Sequence, residues 1–161
     1  MTAPGQHARP SRFPASAAPV RQGRGAGRAL LALAWLVPLG VLGQAAIAGQ
    51  ALYVSPDLFG LHGGLGHGVM LLALVTAALA WIVGSSRPAA ALASLAVIAL
   101  IGQTGLGYVG HRSRVALASS LHIPLGVTIL GLTVAVAVLV TISRRQAVGV
   151  ERDDLDRPAA G

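Results

Sequence analysis

Two histidines of this chain stand in the same six-residue frame: residues 61–66 read LHGGLG and residues 121–126 read LHIPLG, so His62 and His122 are 60 positions apart. Both frames lie in apolar, uncharged sequence, and the chain has only five histidines. Imidazole binds metals and changes charge near neutral pH, and an ionisable side chain in apolar surroundings needs a partner. Two imidazoles approaching from opposite sides are an axial ligand set for haem iron. The chain has no cysteine, which excludes disulfides, thiolate metal sites and covalent haem attachment through C-x-x-C-H. A haem held here would therefore be haem b, bound non-covalently.

The elements that must position these histidines follow from the distribution of charge. Hydrophobic residues make up 54% of the 161 residues and charged residues 11%, a balance unlike that of a soluble domain. The charges are clustered, leaving uncharged runs at 29–56, 58–86, 88–111 and 115–143. Each run exceeds the ~20 residues a helix needs to cross the hydrocarbon core. Spans are predicted near 30–52, 60–83, 89–109 and 119–141. Backbone polar groups in lipid must be satisfied internally, which selects helices. The expected fold is all-α: a polytopic membrane protein, an up-down four-helix transmembrane bundle, flanked by polar tails at 1–28 and 144–161. The first tail has a disorder-prone composition, and the second shows no packing pattern. An A-x-A-like site at 46–48 suggests a signal peptide, but the apolar run before it is longer than the usual h-region, so the segment is read as a retained span.

All twelve basic residues are arginines. Ten fall in the tails or between spans two and three, whereas only Arg112 and Arg114 lie at the other side. The positive-inside rule then places both termini in the cytoplasm of a multi-pass protein of the cell membrane. The net charge of +7 is thus a topology signal, and nucleic acid is excluded as a partner.

The interior repeats. GQAAIAG at 43–49 matches GQTGLG at 102–107, so Gln44 and Gln103 are 59 apart while the histidines are 60 apart. A tandem-repeated helical hairpin of this kind keeps its orientation, a parallel repeat. Ser55-Pro56-Asp57 and Ser113 are expected to open helices two and four. Both histidines then lie about 10–14 Å past their helix starts, at matching depth. Helices two and four are diagonal in an up-down bundle, about 12–14 Å apart. That distance is read as too wide for the imidazoles to meet and suited to a macrocycle between them. Gly66 and Gly126, four residues after each histidine, either let a ring lie against the backbone or serve close helix packing. Pro124 is expected to set the local angle of helix four. Arg112 and Arg114 are candidate partners for haem propionates, or else residues of a solvated loop. His67 lies about 140° around the helix from His62 and is read as a hydrogen-bonding residue. His111 in the outer loop and His7 in the tail are weaker candidates. Gln44 and Gln103 either bond across helices or touch a bound ring or quinone.

These residues resemble one four-helix half of the haem A synthase family, in which each half carries a histidine pair on its second and fourth helices. The GQ…LHxxLG pattern is also similar to small bacterial four-span proteins of the same architecture. The resemblance covers about residues 30–142 and implies haem ligation by His62 and His122. It does not imply the synthase reaction: one bundle is present rather than two, Phe59 stands where the synthases place a glutamate, and their outer-loop cysteines are absent. The expected activity is electron transfer or haem handling, because two axial histidines leave no open position on iron. Expected partners are the lipid bilayer and, for electron exchange, a quinone or a respiratory complex, with a homo-oligomer as a further candidate. The alternative is a cofactor-free four-span protein acting as a partner subunit or scaffold. A transporter is disfavoured, since no acid or arginine lies inside the spans.

Overall fold

A computed structural model describes residues 24–155. Four helices account for nearly all of them: α1 (Arg24–Tyr53), α2 (Leu58–Ile82), α3 (Arg87–Ser113) and α4 (Ala116–Leu155). All four are long and apolar enough to cross a membrane. They form an up-down ring in which α1 packs on α2 and α4, and α3 packs on α2 and α4, with no close backbone approach across either diagonal.

The helix ends depart from the charge-based boundaries. Helix α1 starts at Arg24, so residues 24–28 belong to a helix and not to a tail. Helix α4 runs on to Leu155, through most of the expected second tail. Runs such as Arg144-Arg145-Gln146-Ala147 are good helix formers, and no proline interrupts them before Pro158. Residues 1–23 and 156–161, where the expected disorder mostly falls, lie outside the described residues. Ser113 ends α3 and does not cap α4; the turn between them is made by Arg114, whose φ of 51° is left-handed. Asp57 is the N-cap of α2, without a side-chain cap bond. Between α2 and α3, Gly84 takes a φ of 69°, and the Ser85 amide donates to the Ala80 carbonyl at 3.0 Å, a Schellman closure.

The duplicated hairpin is legible in the packing. An offset of 59 from α1 to α3 and 60 from α2 to α4 pairs buried Ala34 with Ala93, Val41 with Leu100, Val69 with Ile129, and Ala77 with Ala137. The alanines among these let the helices approach closely at one end of the bundle, as small residues do in membrane interiors. A cavity of about 10 Å³ obeys the same relation: it is lined by Ala34, Val37, Ala73 and Thr76 and by their counterparts Ala93, Ala96, Thr133 and Val136. Two indole bonds tie the seams between repeats. Trp35 Nε1 donates to Thr141 Oγ1 at 3.2 Å, and Trp81 Nε1 donates to Ser94 Oγ at 3.1 Å. Under the offsets Trp35 corresponds to Ser94 and Thr141 to Trp81, so donor and acceptor exchange helices from one seam to the other.

Candidate functional site

Each repeat builds the same interhelical clasp. His62 Nδ1 lies 3.0 Å from the Gln44 carbonyl oxygen, and the Gln44 amide donates back to the His62 carbonyl at 3.4 Å. In the second repeat His122 Nδ1 lies 3.1 Å from the Gln103 carbonyl, and the Gln103 amide donates to the His122 carbonyl at 2.9 Å. A carbonyl only accepts, so Nδ1 of each ring carries a proton, and in the neutral ring Nε2 then holds a lone pair. Neither Nε2 has a hydrogen-bond partner among the described residues. A donor nitrogen tied to a carbonyl, with the opposite nitrogen left free, is the usual outer-shell arrangement behind a metal-ligating histidine.

The two rings face each other across the α2–α4 diagonal, with centroids 6.2 Å apart and planes at 67°. The expectation that the diagonal keeps the imidazoles apart is therefore corrected. Each side chain spends several ångströms reaching inward from its helix, and two such reaches consume much of the diagonal. The resulting gap has a chemical meaning. Histidine nitrogen bonds a metal at about 2.0–2.1 Å, and with about 1 Å from ring nitrogen to ring centre, two imidazoles sharing one metal have centroids about 6 Å apart.

The glycines of the two frames have a different role from the one expected of a ring-facing surface. A Cβ on Gly66 would run into the Gln44 amide nitrogen, and one on Gly126 would lie 3.2 Å from Gln103 Nε2. Of the two readings of these glycines, close helix packing is the one the contacts support: the space over them seats the glutamine amide. Leu65 and Leu125, one position earlier, lie 3.9 Å from where Cβ atoms would stand on Gly43 and Gly102. The paired GQ and HxxLG elements are thus one lock, made twice. Gly107 also belongs to the site, since a Cβ there would stand 3.2 Å from His122 Cε1. Sequence reasoning did not single it out, although it closes the GQTGLG stretch; Ala48 is its counterpart in the first repeat.

The remaining candidates are not gathered around the histidine pair. The Arg112 guanidinium lies 5.4 Å from the centre of the Tyr108 ring, a cation–π geometry. Arg114 forms the α3–α4 turn, and both arginines are exposed. His67 Nδ1 donates to the Gly63 carbonyl at 2.8 Å, and its Nε2 accepts from the Tyr108 hydroxyl at 3.2 Å. His111 packs beside Phe59, with centroids 5.5 Å apart. Gln103 Oε1 is buried without a hydrogen-bond partner. Beyond the level of Val41, Val69, Leu100 and Ile129, towards the α1–α2 and α3–α4 loops, only Ala51 and Ala118 are buried among the described residues. The histidine end is thus apolar but thinly packed.

Fold and spans together define a polytopic, all-helical membrane protein. Residues 44–110, rather less than half of the chain, match a family of unknown function (DUF6220). The match takes in Gln44, His62, Gly66 and Gln103 but stops short of His122. No curated protein and no solved structure matches the chain.

Proposed function

We propose that this chain is an integral membrane protein that binds one haem b between His62 and His122. The observation that carries this reading is the pair of free Nε2 atoms on rings 6.2 Å apart, each held in tautomer and orientation by a glutamine carbonyl. The donor set fits the group: two neutral imidazoles, no competing carboxylate or thiolate, and a thinly packed apolar surround. Held by His62 and His122, a haem would supply one-electron chemistry. The Gln44 and Gln103 carbonyls raise the basicity of the ligating nitrogens and keep the rings from rotating. Electron transfer or haem handling is the corresponding role, with a quinone or a respiratory complex as the redox partner. The resemblance to the haem A synthases supports the ligand pair. The arginine distribution supports a cell-membrane protein with both termini in the cytoplasm.

A second reading rests on the same clasp. Each glutamine Nε2 and each Nδ1 has a partner within the protein, so the lock holds helices together without a ligand, as a cofactor-free partner subunit or scaffold would require. Thermal unfolding in detergent separates the two. Ligand that binds only the folded state stabilises it by mass action, about 2.7 kcal/mol at a hundredfold excess over Kd. Added haem is expected to raise the midpoint of the apo-protein and to leave an H62A/H122A variant unmoved. Equal shifts in both proteins would support the scaffold.

A further inference from the structure

The repeat breaks at the arginine-rich end, and the break creates an unassigned site. Under the offsets Arg28 corresponds to Arg87, but Arg144 corresponds to Gly84, in the tight turn that closes the α2–α3 seam. The equivalent α1–α4 seam has no such turn: α1 begins at Arg24 and α4 continues to Leu155. Into this open seam runs the Arg144 side chain. It is partly buried, and its Nε lies 3.6 Å from where a Cβ would stand on Gly27, an ordinary contact distance that sets the guanidinium end against α1. Helical side chains lean toward the N-terminus of their helix. For α4 that direction leads back along the bundle, away from the acidic residues at 151, 153 and 154. No carboxylate pairs with Arg144 among the described residues, and the one described acid outside α4, Asp57, is at the opposite end. Arg28 and Arg145 are exposed on the same two helices. One turn deeper, Trp35 and Thr141 close the seam with their hydrogen bond, leaving the indole partly exposed.

A partly buried guanidinium at a membrane boundary, flanked by further cations and lying above the exposed Trp35 indole, calls for an anion. Guanidinium forks match phosphate geometry, and arginines near the bilayer surface attract anionic lipids. We propose that the α1–α4 seam binds the phosphate of an anionic phospholipid through Arg144, assisted by Arg28, with the acyl chains lying along Trp35. This site is independent of the histidine pair.

The two indoles provide an internal comparison. The full chain is reconstituted in phosphatidylcholine nanodiscs with a minor fraction of phosphatidylglycerol, bromine being carried on the acyl chains of one lipid or the other. In a W81F background, Trp35 is expected to report about fivefold local enrichment of phosphatidylglycerol, the effect of one interfacial arginine. R144Q should abolish most of it and R28Q part of it, while R145Q, on the exposed face, should change it little. In a W35F background, Trp81 at the closed seam should show no comparable preference. Equal quenching of Trp35 by both lipids, or an R145Q effect as large as that of R144Q, would overturn the proposal. So would loss of the enrichment in inorganic phosphate but not in chloride of equal ionic strength, which would make a free phosphate anion the ligand. Retention of the enrichment in phosphate supports the lipid.

Discussion

Alanine at either His62 or His122 is expected to strip the protein of haem, and the two variants are expected to behave alike. The clasps are equivalent within a few tenths of an ångström at Nδ1, 3.0 Å and 3.1 Å. On the proposed reading, neither histidine is therefore the senior ligand. Outer-shell changes at metal sites typically cost about 10–100-fold in affinity, and removal of a ligand itself should cost more. Haem-to-protein stoichiometry by pyridine haemochrome, measured on H62A and H122A purified in parallel with wild type, gives the answer. H67A serves as the control. Both ring nitrogens of His67 are committed, to Gly63 and Tyr108, so H67A should retain haem at the wild-type ratio. A loss confined to one of the two frame histidines, or shared equally by H67A, would show that the pair is not the ligand set.

A second expected result concerns Gly66, where a single methyl group should change the sign of its effect with its neighbour. Gly→Ala inside a helix ordinarily stabilises by about 0.8–1 kcal/mol through propensity. At Gly66 the added Cβ lands on the Gln44 amide. The amide must then leave the His62 carbonyl, costing an interhelical hydrogen bond worth about 0.6 kcal/mol on average in membranes, together with about 1–3 kcal/mol of overpacking. G66A alone should therefore destabilise by about 1–3 kcal/mol once the propensity gain is subtracted. In a Q44A background the obstruction is gone, and the same G66A change should stabilise by about 1 kcal/mol. A double-mutant cycle followed by unfolding in detergent measures the coupling directly. G126A should show the same pattern more weakly, because the Gln103 nitrogen stands 3.2 Å from the new atom and has to give only a few tenths of an ångström. Additive effects of Q44A and G66A would mean that the glycine does not seat the glutamine.

How far the sequence carried the account can be judged residue by residue. Four uncharged runs between charged residues located the spans because lipid excludes charge, a constraint stronger than any propensity. The offsets of 59 and 60 singled out the two glutamines and the two histidines as matched residues, but did not show that each glutamine bonds the histidine of its own hairpin. What the repeat could not convey was reach. Depth follows from counting residues along a helix, but the 6.2 Å separation depends on side-chain direction across the bundle. The frame glycines were ambiguous for a related reason: a missing Cβ announces a close approach without naming what approaches. Features lacking a repeat counterpart stayed hidden. The His67–Tyr108 bond is one, since Val127 and Gly49 occupy the corresponding positions. The continuation of α4 to Leu155 is another, because polar residues outside the membrane carry no burial pattern to mark a helix.

The most direct test of the central claim is the absorption spectrum of the wild-type protein, purified in detergent from haem-supplemented cells and recorded oxidised and then dithionite-reduced. Two imidazoles on one iron predict a red protein with the sharp, low-spin bands of a six-coordinate b-type haem in the reduced state. A folded but colourless protein would contradict the account and leave the paired histidines as the lock of a cofactor-free bundle.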